Sequence, residues 1–219
     1  MEFADVVRRR RMVRSFERRP VDPTVLRTIL EAATRAPSAG NTQGWSFVVL
    51  EGPDETARFW DATLPPERRA GFTWPGLLDA PVIVLPLADG AAYVARYGEP
   101  DKVRSGLGEG TDRWPVPYWV VDTSFATMTL LHAVVDAGLG ALFFGVFHGE
   151  AELRRTLAIP DSLTLIGAIA LGHPKPSRAG RSATRSHRPI DEVVHRGRFS
   201  SGKSDEVLKE EANGTIDHQ

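Results

Sequence analysis

Residues 80–88 read APVIVLPLA, nine positions without one charged or hydrogen-bonding side chain. The run is less than half the ~20 apolar residues that cross a bilayer. It has no polar face with which to lie on a helix surface. A segment of this kind is a strand buried on both faces, and the sheet that contains it is covered on both sides. LIGAIALG at 165–172, within LTLIGAIALG at 163–172, reads the same way. GALFFGV at 140–146 and WSFVVL at 45–50 are also strand-like. Helical patterns fall between these runs. Phe3, Val6 and Val7 mark a short helix over 3–11 by their i, i+3, i+4 spacing. Asp22 as N-cap and Pro23 at the first position open a second, with Val25, Leu26, Ile29, Leu30 and Ala33 as its stripe, and Pro37 closing it. Further helices are expected from Pro53 to about Leu64, over 123–137 with Asp122 as its cap, and over 150–157. Interleaved helices and strands make the domain α+β or α/β, with about four strands visible.

Residues 89–118 show no clear period but are rich in Gly, Pro and Asp, and they end in the aromatic DRWPVPYW. A segment this long without structure of its own is expected to be a lid or a pocket wall. Residues 1–199 are read as one domain, and the polar stretch 200–219 as a disordered tail. HRPIDEVVH (187–195) reads as an extended arm or a short helix.

The chain has no cysteine, which removes disulfides and thiolate metal sites, and no run long enough to span a membrane. Without a secretory signal pattern, the expectation is a cytoplasmic protein with no membrane partner. The usual catalytic signatures are missing too. GLGEG at 106–110 follows no strand, and GAIALGHP has His173-Pro174 where a phosphate loop needs Lys-Ser/Thr. The six histidines show no metal-ligand spacing, and His132 lies within an apolar helix as a core residue would.

Charge is the second strong feature. Seven of the twelve residues from Arg8 to Arg19 are arginine, although the formal net charge is -1. Arg8 and Arg9 suit the end of a helix, where cations complement the dipole. The slightly acidic chain and the absence of a recognisable nucleic-acid fold argue against a nucleic-acid partner. A small, highly charged anion fits better. A chain lacking nucleophile, acid–base dyad and metal site still catalyses when a cofactor carries the chemistry. A flavin mononucleotide is one such group. Its phosphate wants guanidinium forks, its ring an apolar cradle, and the edge that turns negative on reduction a nearby cation.

RRRMVRSFERRPVDPTVLRTILEAATRAPSAGNTQGWSFVVL resembles the opening of the FMN-dependent nitroreductase family. VDTSFATMTLLHAVVDAGLGALFFGV is similar to that family's central helix and following strand, and IPDSLTLIGAIALGHP with HRPIDEVVH to its closing strand and C-terminal arm. The resemblance spans roughly residues 3–198. It implies a three-layer α/β/α sandwich with a mostly antiparallel sheet, and an intertwined homodimer with FMN at the subunit interface. It implies NADH or NADPH as co-substrate and an electron-poor small-molecule acceptor, with no catalytic side chain. Other chemistries on the same fold, such as dehalogenation, flavin fragmentation or biosynthetic dehydrogenation, stay open, as does flavin storage. By the same resemblance, Arg10 and Arg11 lie near the phosphate and ribityl chain, and Arg14 near the charged edge of the ring. Pro37, Ser38, Ala39 and Asn41 form a loop that reaches the partner subunit's flavin. Phe143, Phe144 and Gly145 lie beside the ring, with a main-chain N–H toward N5. Arg188, with Arg185, belongs to the phosphate. Two departures stand out: Met12 replaces the usual serine, leaving only its backbone, and Gly44 replaces the usual proline, which is expected to loosen the turn before Trp45.

Overall fold

The structure is a computed structural model that describes residues 1–176, 180 and 184–200. By internal packing the chain divides into two units, Met1–Ser177 and Arg178–Gln219. The first unit begins with α1 (Phe3–Arg9), α2 (Pro23–Ala33), β1 (Trp45–Glu51), α3 (Gly52–Thr63), the single turn α4 (Pro66–Arg69) and β2 (Val82–Asp89). Then follow α5 (Gly90–Tyr97), α6 (Tyr118–Asp136), β3 (Gly140–Phe144), α7 (Glu150–Leu157), β4 (Leu163–Leu165) and β5 (Ala168–Gly172). In the second unit, Ile190–Glu192 form one 3-10 turn, so the arm carries a short helical turn. Of the expected tail, all but Ser200 lies outside the described residues.

The strands join in the order β1-β2-β5-β3, with β4 also on β2, and every strand pair is antiparallel. β2 is buried on both faces, as its composition requires. Its alternation divides the core. Ile83, Leu85 and Leu87 pack with Phe59, Trp60 and Leu153 of α3 and α7. Val82 and Val84 pack with Ile29 of α2 and Leu130 and Val134 of α6. β5 repeats the pattern, with Ala168 and Ala170 on the first side and Ile169 and Leu171 on the second. Burial of each large side chain contributes about 1.5–3 kcal/mol, so two stacked cores hold the three layers.

The run 163–172 is not one strand. β4 and β5 both pair with β2, but between Leu165↔Leu87 and Ile169↔Val84 one side advances four residues and the other three. The extra residue is a β-bulge at Ile166-Gly167. Pro86 lies opposite it, with its carbonyl accepting from Ile166 N–H at 3.2 Å. A proline inside a central strand is tolerated at such an interruption.

Asp22 caps α2 as expected, accepting from Thr24 N–H at 2.8 Å and Val25 N–H at 3.2 Å. Asp122 does not cap α6. That helix starts at Tyr118 behind Pro117, so Asp122 sits inside it, 2% exposed. On α6, Phe125 and Met128 stand exposed, while Ala126, Leu130, Leu131 and Val134 face the core. Residues 89–118 also differ from expectation. They hold α5 and three 3-10 turns, at Val103–Ser105, Leu107–Glu109 and Thr111–Arg113. Aromatic contacts supply the order that periodicity did not reveal: the Trp114 ring meets Tyr97 edge-on at 4.7 Å and Tyr93 at 5.7 Å.

Candidate functional site

The arginine-rich stretch separates by structure. α1 ends at Arg9, and the chain then runs extended beside β3, where Met12 pairs in parallel with Ala141. Val13 N–H donates to the Ala141 carbonyl at 2.9 Å, and Phe16, fully buried, pins the far end with its N–H on the Gly76 carbonyl at 3.0 Å. Arg8, Arg9, Arg18 and Arg19 are exposed; Arg8 pairs with Asp5, and Arg18 with Asp79 at 2.8 Å. Arg10 and Arg14 are half-buried. Nη1 of Arg10 is buried and has no hydrogen-bond partner among the described residues. Its charge is felt by His132, whose pKa is lowered chiefly by burial and secondarily by Arg10. His132 is a packed residue, meeting Phe3 edge-on at 5.7 Å. Arg14 lies over the Trp74 ring at 5.3 Å, and its Nη1 donates to the Met12 carbonyl at 3.1 Å. Arg11 turns outward, donating to the carbonyls of Arg8 and Arg10 at 2.6 and 2.9 Å. Met12 is half-buried and packs against both cores, which gives its side chain a structural place where a hydroxyl is usual.

Two residues beyond the Met12 bridge, β3 delivers Phe143 and Phe144. Both rings are committed to packing. Phe144 stacks parallel to Trp60 at 6.0 Å and meets Phe59 edge-on at 5.9 Å, while Phe143 packs on the α2–α6 side. What the segment offers a ligand is backbone: the N–H groups of Gly145, Val146 and Phe147 have no backbone acceptor among the described residues. The parallel bridge thus lays the 10–14 stretch along β3, with Arg14 advancing in the same direction as Phe143 and Arg10 level with the start of the strand.

The loop that follows α2 is built elsewhere. Ser38 Oγ accepts from Gln43 N–H at 2.8 Å, and Asn41 and Gln43 both adopt φ of 53°. Its Ala39 N–H donates to Asp122 Oδ2 at 2.8 Å. Pro37 and Asn41 are exposed. Among the described residues no hydrogen bond or ring contact joins this loop to Arg10, Arg14 or Phe143. In the second unit, Arg185 is exposed, and Arg188 donates to the Glu192 carbonyl at 2.7 Å and its carboxylate at 3.3 Å.

Sequence reasoning missed Trp74, Tyr93, Arg96 and Asp122. Asp122 had a readable signal, since it is the one Asp, Glu, Lys or Arg among the first eighteen positions of this helix. Nothing local marks Trp74.

The sequence model of the nitroreductase family matches residues 7–173. A protein of Archaeoglobus fulgidus, provisionally named NADH dehydrogenase/NAD(P)H nitroreductase, is 27% identical over 90% of this chain and 99% of its own. An NADH dehydrogenase of Thermus thermophilus is 28% identical over 85% of this chain and 91% of its own. Among solved structures, a provisionally named nitroreductase of Desulfovibrio desulfuricans in complex with FMN shares the fold with a TM-score of 0.63 at 24% identity, covering 91% of this chain and 99% of that one.

Proposed function

The chain belongs to the nitroreductase family, and on that premise we propose that it is an FMN-dependent oxidoreductase drawing on NADH or NADPH and reducing an electron-poor small molecule, such as a nitroaromatic, a quinone or an activated alkene. FMN, when bound, supplies the hydride-transfer chemistry. The observation that carries the reading is the buried, partnerless Nη1 of Arg10, one residue past α1 at the head of the stretch that runs on beside β3. An unpaired cation in such a position is completed by an anionic group.

In this reading Arg10 binds the phosphate side of FMN, with Arg11 able to swing from its two carbonyls toward the same charge. Arg14, steered by Trp74, sets a cation at the ring edge that turns negative on reduction. The Gly145 N–H holds N5, and the Phe143 and Phe144 side chains stiffen the strand beneath it instead of stacking on the ring. Met12 contributes through its backbone. Pro37, Ser38, Ala39 and Asn41 approach the flavin of a second copy of the chain, and residues 89–118 wall the acceptor's space through that loop. Arg185 and Arg188 are assigned to the phosphate on the motif alone. A homodimer is supported by the apolar surface that one chain leaves open, with Phe3, Phe125 and Met128 exposed on α1 and α6.

Titration of FMN into flavin-free protein tests the assignment. Flavin fluorescence is expected to be quenched to an end point of one FMN per chain, and Arg10→Ala to weaken binding by about tenfold or more, the effect of one charge-assisted hydrogen bond. A protein that takes up no FMN overturns the reading.

A further inference from the structure

We propose that Tyr93, Asp122 and Arg96 form a fixed clamp that holds the 38–43 loop in its working shape, so that residues 90–114 act as a rigid frame and not as a closing lid. The role given to that loop rests on the flavin reading above; the clamp itself stands on geometry.

Asp122 Oδ2 accepts two bonds, one from Ala39 N–H at 2.8 Å and one from Tyr93 OH at 2.7 Å. Both side chains are buried, Asp122 at 2% and Tyr93 at 0% exposure. Burial first, and the Asp122 contact second, raise the pKa of Tyr93 well above that of an exposed tyrosine, so the phenol stays a donor. A second bond acts one residue along the loop. Arg96 Nε donates to the Gly40 carbonyl at 2.9 Å, while its two terminal nitrogens hold Asp101 bidentately, each at 2.7 Å. Arg96 is therefore pre-oriented by its own helix end before it meets the loop.

Gly44 fits the same device. A Cβ there would fall 2.6 Å from the Tyr93 ring and 3.1 Å from the Asp89 carbonyl. The absence of a side chain at this position does not loosen the turn; it admits the tyrosine that locks it. The proline usual here has no room in this chain. Trp114 completes the frame, its Nε1–H donating to the Leu107 carbonyl at 3.0 Å and its ring set against Tyr93 and Tyr97. The loop needs such support, because Asn41 and Gln43 hold positive φ without being glycine, and such conformations persist only where the surroundings enforce them.

Amide hydrogen exchange on the full chain, without FMN and again with FMN and acceptor, tests the clamp. Segments 37–44 and 90–114 are expected to be protected in the absence of any ligand. Tyr93→Phe is expected to speed exchange in 37–44 by about tenfold, as for the loss of one buried hydrogen bond, while β2 amides are unchanged. Arg96→Gln, at a less buried position, is expected to act in the same direction, and so keeps the test alive if Tyr93→Phe fails to fold. In FMN-loaded enzyme, Tyr93→Phe is expected to raise KM for the acceptor by about threefold or more with kcat little changed, since it misplaces a loop and removes no reacting group. Fast exchange of 90–114 that slows only when acceptor binds would reveal a lid and overturn the clamp, as would 37–44 exchange indifferent to Tyr93→Phe. If the protein binds no FMN, the flavin reading fails, yet the exchange result still decides on the clamp.

Discussion

Gly149→Ala is expected to cost roughly 2–5 kcal/mol of stability, the sum of about 1–2 for a left-handed alanine and about 1–3 for overpacking. Gly149 has φ of 69°, and a Cβ there would lie 1.9 Å from the Ala62 carbonyl oxygen and 2.8 Å from its carbon. Both obstacles are backbone atoms at the end of α3, so no rotamer change relieves them. The residue also opens α7, its carbonyl accepting from Leu153 N–H at 2.9 Å, and it follows the 145–148 segment, whose Gly145 N–H is assigned to the flavin. Stability and cofactor affinity are expected to fall together. Gly52 provides the control, since its φ of 78° is equally positive but nothing lies within 4 Å of its missing Cβ. Gly52→Ala is expected to cost only the conformational part. Urea midpoints of the two variants measure the difference; equal midpoints would show that the α3–α7 approach is not as tight as its geometry.

Arg14→Ala is expected to slow reduction of the bound flavin by about a hundredfold while weakening FMN binding by less than about tenfold. The reason is differential. A cation beside a ring edge that is neutral before reduction and negative after it stabilises the product side of the step far more than the resting complex, and removal of one such preorganised donor costs about 10²–10³ in rate. Trp74 and the Met12 carbonyl hold the guanidinium at 5.3 and 3.1 Å, so its reorganisation cost is already met by the fold. Stopped-flow bleaching under anaerobic conditions gives the rate, and fluorescence titration the affinity. If only affinity falls, Arg14 belongs with Arg10 at the phosphate.

The parts of this fold that were legible in the sequence are those whose cause is local. The apolar run 80–88 supplies most of β2, and it is continuous because both faces of that strand are covered. The division of the arginines was legible in part: Arg8, Arg9, Arg18 and Arg19 are exposed as read, whereas Arg11, grouped with Arg10 and Arg14, turns outward, and the helix expected to reach residue 11 ends at Arg9. What escaped reading depends on distant partners. One extra residue at Ile166-Gly167 breaks a strand without altering its hydrophobicity. Asp122 resembles a helix cap in sequence, and only the fold brings Ala39 and Tyr93 to it. Residues 89–118 lack a period because aromatic contacts and Arg96, rather than an amphipathic stripe, hold them. Phe143 and Phe144 resembled a cradle for a ring; in the fold their side chains pack against the α3 aromatics and the second core.

The most direct measurement of the central claim is anaerobic reduction of the FMN-loaded protein by NADH and by NADPH, followed by addition of a nitroaromatic or a quinone. The account predicts that at least one nicotinamide bleaches the flavin band and that the acceptor restores it, with one two-electron equivalent consumed per flavin. A flavin that binds but is never bleached by either donor, or that once bleached is not reoxidised by any electron-poor acceptor, would contradict it.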